Sequence, residues 1–517
     1  MTFEIVFVLL SLLGMVAALI ADKMRPGMIL FSVVVLFLCA GILTPKEMLE
    51  GFSNKGMITV ALLFLVSEGI RQSGTLGQVI KKLLPQGKTT VFKAQLRILP
   101  SVAFISAFLN NTPVVVIFAP IIKHWAKSVN LPATKFLIPL SYVTILGGIC
   151  TLIGTSTNLV VHGMILEAGF EGFSMFELGK VGIFVAIAGI IYIFLFSKRL
   201  LPDARPDTAV PDEEVEEGEK LYRVEAVLGA RFPGINKKLK DFNFQRHYGV
   251  EVKEIKTRNG QRFVTNLDDV VLHEGDTLVV MADDTFIPTW GESSVFVLLT
   301  NGNEPDTSGK KKRWFALLLL VLMIVGATVG ELPVTKEMFP DIKLDMFFFV
   351  SITTIIMAWT NLFPARKYTK YISWDILITI ACAFAISKAM VNSGVADSVA
   401  KFIIGLSDDY GPHVLLAMVF IITNLFTELI TNNAAAALAF PLALSISAQL
   451  GVSPTPFFVV ICMAASASFS TPIGYQTNLI VQGIGNYKFT DFVRIGLPLN
   501  IITFLISITL VPLIWSF

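Results

Sequence analysis

The sequence predicts an all-α polytopic membrane protein with inverted-topology repeats and two re-entrant hairpins, interrupted by a small α+β domain. Three observations predict it: long apolar runs, a segment pattern written twice, and one charged stretch between the two copies. Of 517 residues, 54% are hydrophobic and 15% charged, and the mean hydropathy is +0.70. A soluble domain carries about 25% charged residues. The charge gathers in residues 201–312, while the flanks hold apolar runs such as 181–196 and 314–329. Runs of about 20 residues with few or no charges read as membrane-spanning helices. The net charge of +2 gives no ground for nucleic-acid binding.

The N-terminal segment lacks a basic leader and a small-residue cleavage site, so it reads as a retained first span. The four cysteines, Cys39, Cys150, Cys382 and Cys462, have no CxxC spacing and read as small core residues.

The repeat has an offset of about 320 residues. Residues 51–74 lie over 371–394 with eight identities, among them Ser73/Ser393 and Gly74/Gly394. FLNNTPVVVIFAP (108–120) lies over LITNNAAAALAFP (429–441), pairing Asn111 with Asn432 and Pro120 with Pro441. TLIGTSTNLVVHG (151–163) lies over TPIGYQTNLIVQG (471–483) with eight identities in thirteen positions. In each half the order is three spans, a hairpin, a broken span and a final span. The first half has spans near 3–22, 28–43, 57–70, 133–166 (interrupted) and 180–199. The second has them near 313–331, 342–360, 374–391, 455–485 (interrupted) and 495–516. Five crossings per half force the second half to enter from the opposite side, which defines an inverted repeat. The organisation is therefore 1–200 as the first membrane repeat, 201–312 as the insert, and 313–517 as the second repeat.

Lysine and arginine placement orients the chain. With 201–312 in the cytoplasm, the inner loops gather Lys23, Arg71, Lys81, Lys82, Lys123, Lys310, Arg313 and Arg366. The outer loops 167–177 and 406–411 are acidic; Lys180 and Lys401 fall on the outer side, so the bias is strong rather than absolute. Both termini are expected outside.

The hairpins, 94–122 and about 411–446, are each too short to cross twice. Their tips are polar: Asn110, Asn111 and Thr112 in one, Thr431, Asn432 and Asn433 in the other. The broken spans carry LGGICTLIGTSTN (146–158) and ASFSTPIGYQTN (467–478). Non-helical backbone at membrane depth is tolerated where it is buried or lines a wet cavity. Neutral amide, hydroxyl and carbonyl oxygens suit sodium, and the N-termini of the resuming half-helices suit an anion. No Lys or Arg lies inside these motifs, so the charge of an anion must be balanced by co-bound cations and helix dipoles. Glu428 precedes the second tip, and it reads either as a functional acid or as a brace at the hairpin neck.

The paired tips and the paired TN-containing loops resemble the divalent anion:sodium symporter family, over roughly 1–200 and 313–517. In that family the tips read Ser-Asn-Thr and the breaks carry a Thr-Pro-Pro-type loop. The cytoplasmic insert and the GTSTN/GYQTN pair are more similar to its sulfate-type branch than to its carboxylate-type branch. The resemblance implies two sodium sites, with a small divalent anion between the tips and an elevator-type motion against a dimeric scaffold. It assigns sodium to Asn111, Gly154, Thr155 and Asn158, and to Asn432, Thr471, Gly474 and Asn478. It assigns substrate contact to Asn110, Asn111, Thr112, Thr157 and Asn158, and to Thr431, Asn432, Asn433, Thr477 and Asn478. A homodimer in membrane lipid, in a bacterial inner membrane, is the implied setting. Sulfate is the expected cargo, and a succinate-like dicarboxylate is the alternative.

Residues 203–217 read as an acidic linker. The insert's core, about 218–300, reads β-α-β-β-β: a strand at 224–230, a short helix at 236–249, a hairpin at 250–263 turning at Asn259-Gly260, and a strand at 276–282. LHEGDTLVVMA (272–282) and the segment before it resemble the C-terminal domain of TrkA-type potassium-uptake regulators. That resemblance implies paired domains that bind a small molecule, such as a cyclic dinucleotide. A channel or sensor gated by this domain is the rival reading from another class, and no TVGYG-type filter supports it. Nothing in the sequence supports an enzyme.

Overall fold

In the computed structural model the described residues are 3–21, 24–203, 213–216, 219–229, 231–257, 261–283, 286, 290, 295–300, 310–339, 341–406 and 411–517. The helices of more than eight residues in the first half are α1 (Phe3–Ala21), α2 (Pro26–Cys39), α3 (Lys55–Gln72), α4 (Thr75–Leu83), α5 (Val91–Ser106), α6 (Asn111–Ser128), α7 (Leu137–Gly148), α8 (Ser156–Glu167) and α9 (Gly179–Leu200). The insert holds a small helix, α10 (Phe244–Tyr248). The second half repeats the series as α11 (Lys310–Gly330), α12 (Met346–Trp359), α13 (Trp374–Asn392), α14 (Val395–Leu406), α15 (Gly411–Leu429), α16 (Asn432–Leu450), α17 (Thr455–Ser466), α18 (Gln476–Gly485) and α19 (Phe489–Ile514).

The pseudo-symmetry extends to packing. Helix α2 packs on α13 while α12 packs on α3, so the second span of each half leans on the third span of the other. Helices α9 and α19 pack on each other. The recurring Ser-Gly pairs are left-handed turns in both halves, at Gly74 (φ +70°) and Gly394 (φ +74°). Each turn ends the long α3 or α13 and starts the short α4 or α14, two helices the sequence pattern did not mark. A residue with a Cβ is strained at such a φ.

Among the described residues, eight helices are long and apolar enough to cross a membrane: α1, α3 (counted from Pro45), α9, α11, α13, α15, α16 and α19. Their outer faces carry large apolar side chains in the open, such as Leu13, Leu318, Leu505 and Leu513. That surface suits hydrocarbon and would be a liability in water. At the centre, every residue of α7 is buried, and so is every residue of α17 after Thr455. The second hairpin differs from expectation in length. Its arms α15 and α16 have 19 residues each, and either could cross a membrane by length and composition. The two arms are joined by a short connection at Ile430 and Thr431, of which Ile430 is buried.

The insert is a six-stranded antiparallel sheet among the described residues, with order β1-β2-β5-β3-β4. The strands are β1 (Glu213–Glu216), β2 (Glu219–Leu228), β3 (Val252–Lys256), β4 (Arg262–Phe263), β5 (Thr277–Ala282) and β6 (Phe296–Thr300), which also pairs with β2. Residues 213–216, expected as linker, are therefore strand. The helix expected over 236–249 shrinks to a single 3-10 turn, Leu239–Asp241, and the five residues of α10. Asn236 is left-handed at φ 62°, Asn243 caps α10 by accepting from the Arg246 amide at 3.0 Å, and Gly249 at φ +76° ends it. Lys23, most of the linker, the turn at Asn259-Gly260 and Asp408-Asp409 of the outer loop lie outside the described residues. Cys39, expected in the core, is exposed at the end of α2.

The insert rests on the membrane helices. Glu225 of β2 accepts from Lys123 of α6 at 3.0 and 3.1 Å, and also from Arg223 at 2.6 Å and Lys256 at 3.2 Å. Burial raises the Glu225 pKa, but Lys123, Lys256 and Arg223 more than offset this and hold it well below the usual carboxylate range. Gly275 and Thr277 lie against Leu479 and Gly483 of α18, where a Cβ on Gly483 would collide with the Thr277 hydroxyl.

Candidate functional site

Two polar breaks organise the centre. Helix α7 stops at Gly148 and α8 resumes at Ser156; α17 stops at Ser466 and α18 resumes at Gln476. Each break is folded by the same bonds. The Thr151 hydroxyl accepts from the Gly154 amide at 3.2 Å, and the Thr471 hydroxyl accepts from the Gly474 amide at 3.3 Å. The Asn158 amide donates to the Thr151 carbonyl at 2.9 Å, and the Asn478 amide to the Thr471 carbonyl at 3.2 Å. A Cβ on Gly154 would collide with the carbonyl of Gly148, and one on Gly474 with the side chain of Ser468, the residue matching Gly148 in the repeat. These bonds satisfy backbone that has no helical partner at membrane depth.

Each break is also tied to the hairpin of its own half. Thr151 donates its hydroxyl to the carbonyl of Ala107, and Thr471 donates to the carbonyl of Glu428 at 3.1 Å. Ala107 and Glu428 occupy matching places at the end of the first hairpin arm. The Glu428 carboxylate accepts from the Ser470 amide at 2.9 Å and from Asn500 Nδ2 at 2.7 Å. Of the two roles open to it from sequence, bracing the neck is the one these bonds describe.

The tips then cross to the opposite half. Thr112 donates to Gln476 Oε1 at 3.3 Å. In the mirror arrangement Asn433 Oδ1 accepts from Ser156 at 3.4 Å and Thr157 at 3.2 Å. Asn111 is buried at the start of α6. With its amide nitrogen turned to the Thr144 carbonyl (3.1 Å) and the Ser106 hydroxyl (2.8 Å), its oxygen accepts from the Tyr475 hydroxyl at 2.6 Å. This orientation gives both ends of the amide a partner. The Tyr475 hydroxyl also meets Thr155 at 3.1 Å.

Four helix N-termini therefore converge: α6 at Asn111, α8 at Ser156, α16 at Asn432 and α18 at Gln476. None of their N-cap residues, Asn110, Thr155, Thr431 and Tyr475, takes up a first-turn amide with its side chain. Uncapped first-turn amides and the aligned dipoles behind them favour an anion.

Neutral oxygens lie beside this anion-favouring centre. Asn158 Oδ1 is buried and takes no hydrogen bond, and neither does the Thr431 hydroxyl. An oxygen held for a cation has this environment. The second half differs: Asn478 Oδ1 accepts from Ser141 at 2.7 Å, and Ser141 also donates to Thr477 at 2.9 Å. A water-sized cavity of about 10 Å³ lies beside Asn110 and Ser156, walled by Val60 and Ser67 of α3 and by Leu320 and Met323 of α11.

All the residues expected at the site thus lie at these tips and breaks. The sequence reading missed Thr151, Ser141, Gln476 and Tyr475. Thr151 and Thr471 recur in the repeat and could have been found there. Tyr475 could not, because it stands where the first half has Thr155.

Comparison with known proteins shows the family and the fold. The citrate transporter family model (CitMHS) matches residues 16–448 and 343–517. An uncharacterized transporter of Synechocystis sp. is 30% identical, over 94% of this chain and 93% of its own length. A sodium/sulfate cotransporter of Chlamydomonas reinhardtii is 22% identical, over 93% of this chain and 86% of its own. The crystal structure of the YdaH transporter from Alcanivorax borkumensis shares the fold with a TM-score of 0.52 at 12% identity, covering 90% of this chain and 87% of that one. The chain belongs to the citrate transporter family and is a membrane transporter, not an enzyme.

Proposed function

We propose that this transporter is a sodium-coupled symporter importing a small divalent anion of the sulfate class. The carrying observation is the convergence of four uncapped helix N-termini, two from each repeat, at a place without Lys or Arg. An anion there is balanced by dipoles and by cations bound with it. Asn111, Gly154, Thr155 and Asn158 form one sodium site, and Asn432, Thr471, Gly474 and Asn478 the other. The substrate contacts Asn110, Asn111, Thr112, Thr157 and Asn158 from one half and Thr431, Asn432, Asn433, Thr477 and Asn478 from the other. The partner-free oxygen of Asn158 supports the first sodium site. The name of the Chlamydomonas relative supports sulfate and sodium together.

The basic loops support a topology with 201–312 in the cytoplasm and both termini outside, in a bacterial inner membrane. The elevator motion of a homodimer and the insert's role as a TrkA-C-like regulatory module follow from resemblance. The test is uptake of labelled sulfate, succinate and citrate into proteoliposomes, with and without an inward sodium gradient and with a proton ionophore. Sodium-driven sulfate accumulation that survives the ionophore is the expected result. Uptake of succinate or citrate alone overturns the substrate, and uptake lost with the ionophore but indifferent to sodium overturns the coupling.

A further inference from the structure

The two breaks share the bonds that fold them, but one position differs in how far its side chain reaches. Where the first half has Thr155, the second has Tyr475, whose side chain is 7% exposed. A threonine at 475 would end within its own break. The phenol instead reaches into the first half, where its hydroxyl meets Asn111 of the first tip at 2.6 Å and Thr155 of the first break at 3.1 Å. Asn111 and Asn432 are the paired residues between which the anion sits in the proposed function. The hydroxyl's donor and acceptor capacity is thus used on the protein, and the ring takes up space between the two tips.

We propose that Tyr475 is a positioning and specificity-determining residue. Held by Asn111 and Thr155, it acts as a crossbar from the second break to the first tip, leaving room for a compact tetrahedral oxyanion and excluding a carboxylate chain. This rests on the proposed anion site between the tips. A buried hydroxyl bonded on two sides resists displacement, since each abandoned partner bears its own desolvation cost. A longer anion would have to push the ring aside, and the tightly packed interior around it leaves little space to receive it.

The test compares the wild type with Tyr475→Phe, Tyr475→Leu and Tyr475→Thr in the full-length purified protein. Binding of sulfate, succinate and citrate is read by thermal shift at fixed sodium, and uptake by proteoliposome assay. The wild type is expected to bind sulfate at least tenfold tighter than succinate. Tyr475→Phe keeps the ring, so this preference should stay within about threefold while sulfate affinity falls about tenfold through loss of the crossbar. Tyr475→Leu and Tyr475→Thr remove the ring and should shift the sulfate-to-succinate ratio tenfold or more toward succinate. The ratio is insensitive to how much protein folds, and Tyr475→Leu keeps the test alive if the threonine variant does not fold. A wild type that prefers succinate, or ring-deleted variants with an unchanged ratio, overturns the proposal. Proton coupling in place of sodium coupling would overturn only the function proposed above, because the binding ratio is read without a gradient. A wild type that binds none of the three anions overturns both.

Discussion

The hydroxyl of Thr471 donates to the carbonyl of Glu428, and Thr151 makes the same bond to Ala107 in the other half. Each hairpin is thereby stapled to the break of its own repeat at the point where the first arm ends. Thr471→Val should leave the protein folded and cut the initial uptake rate about fivefold, the scale of one neutral hydrogen bond of about 1 kcal/mol. Thr151→Val should do the same. Rates measured at matched amounts of folded protein check this, and wild-type rates in both variants would show that the staples are dispensable.

Asn111→Ala and Asn432→Ala should each abolish uptake. Removing the Asn111 amide strips the Tyr475 hydroxyl of its 2.6 Å partner and takes a 2.8 Å partner from the buried Ser106 hydroxyl. An unsatisfied buried group costs about 1–3 kcal/mol, which a chain of this size survives. Size-exclusion chromatography should show a folded protein, and transport in either variant would remove the tips from the site.

Asn158→Ala should raise the sodium concentration needed for half-maximal uptake by about tenfold, because it deletes an oxygen poised for a cation that must replace its water shell with protein oxygens. Sulfate affinity at saturating sodium should fall as well, because Asn158 is also a substrate contact in the proposed site. An unchanged sodium dependence would take Asn158 out of the sodium site.

Gly154→Ala and Gly474→Ala add a methyl group where backbone already stands in contact. Overpacking of this kind costs about 1–3 kcal/mol. Both variants should melt several degrees lower than the wild type and lose transport, while Gly14→Ala, with open space around it, should do neither.

Glu225→Gln should loosen the insert from the membrane helices, since deleting one member of a buried ion cluster costs roughly 3 kcal/mol. Faster proteolysis within the insert is the readout. The pH dependence has a definite sign. A carboxylate whose folded pKa is depressed contributes stability that is fully present above its unfolded value, about 4.3, and lost as pH falls through the folded value. Proteolysis of the wild type should therefore be flat between about pH 5 and 8 and rise only in stronger acid.

The repeat was legible because its blocks share residues that packing alone does not demand: Asn111 and Asn432, the IG and TN of each break, the Ser-Gly turns. These gave the fold and the tips. Alignment pairs equal positions, however, and the site is made largely by unequal ones. Thr112 meets Gln476 and Asn433 meets Thr157, so the crossing of each tip to the opposite half left no trace in the pattern. Ser141 matches an isoleucine, Ile461, and its hold on Asn478 breaks the symmetry without a sequence signal. In the insert, the polar run 236–249 looks helical by composition, but the left-handed Asn236 and Gly249 confine the helix to five residues. Such limits are set by backbone geometry at single residues.

The docked insert has a consequence for the balance between the two faces of the transporter. In an inverted repeat, exchanging the conformations of the two halves turns the molecule to face the other side with nearly the same set of internal bonds, so the two orientations start close to equal in free energy. The insert is present once. It grips α6 and α18, and the helices that correspond to them, α16 and α8, have no second copy to grip. Its contacts are therefore a bias on an otherwise level equilibrium, and each 1.4 kcal/mol by which docking favours one orientation shifts the population tenfold. Under the alternating access proposed above, whatever strengthens or loosens the Lys123–Glu225 contact shifts that balance.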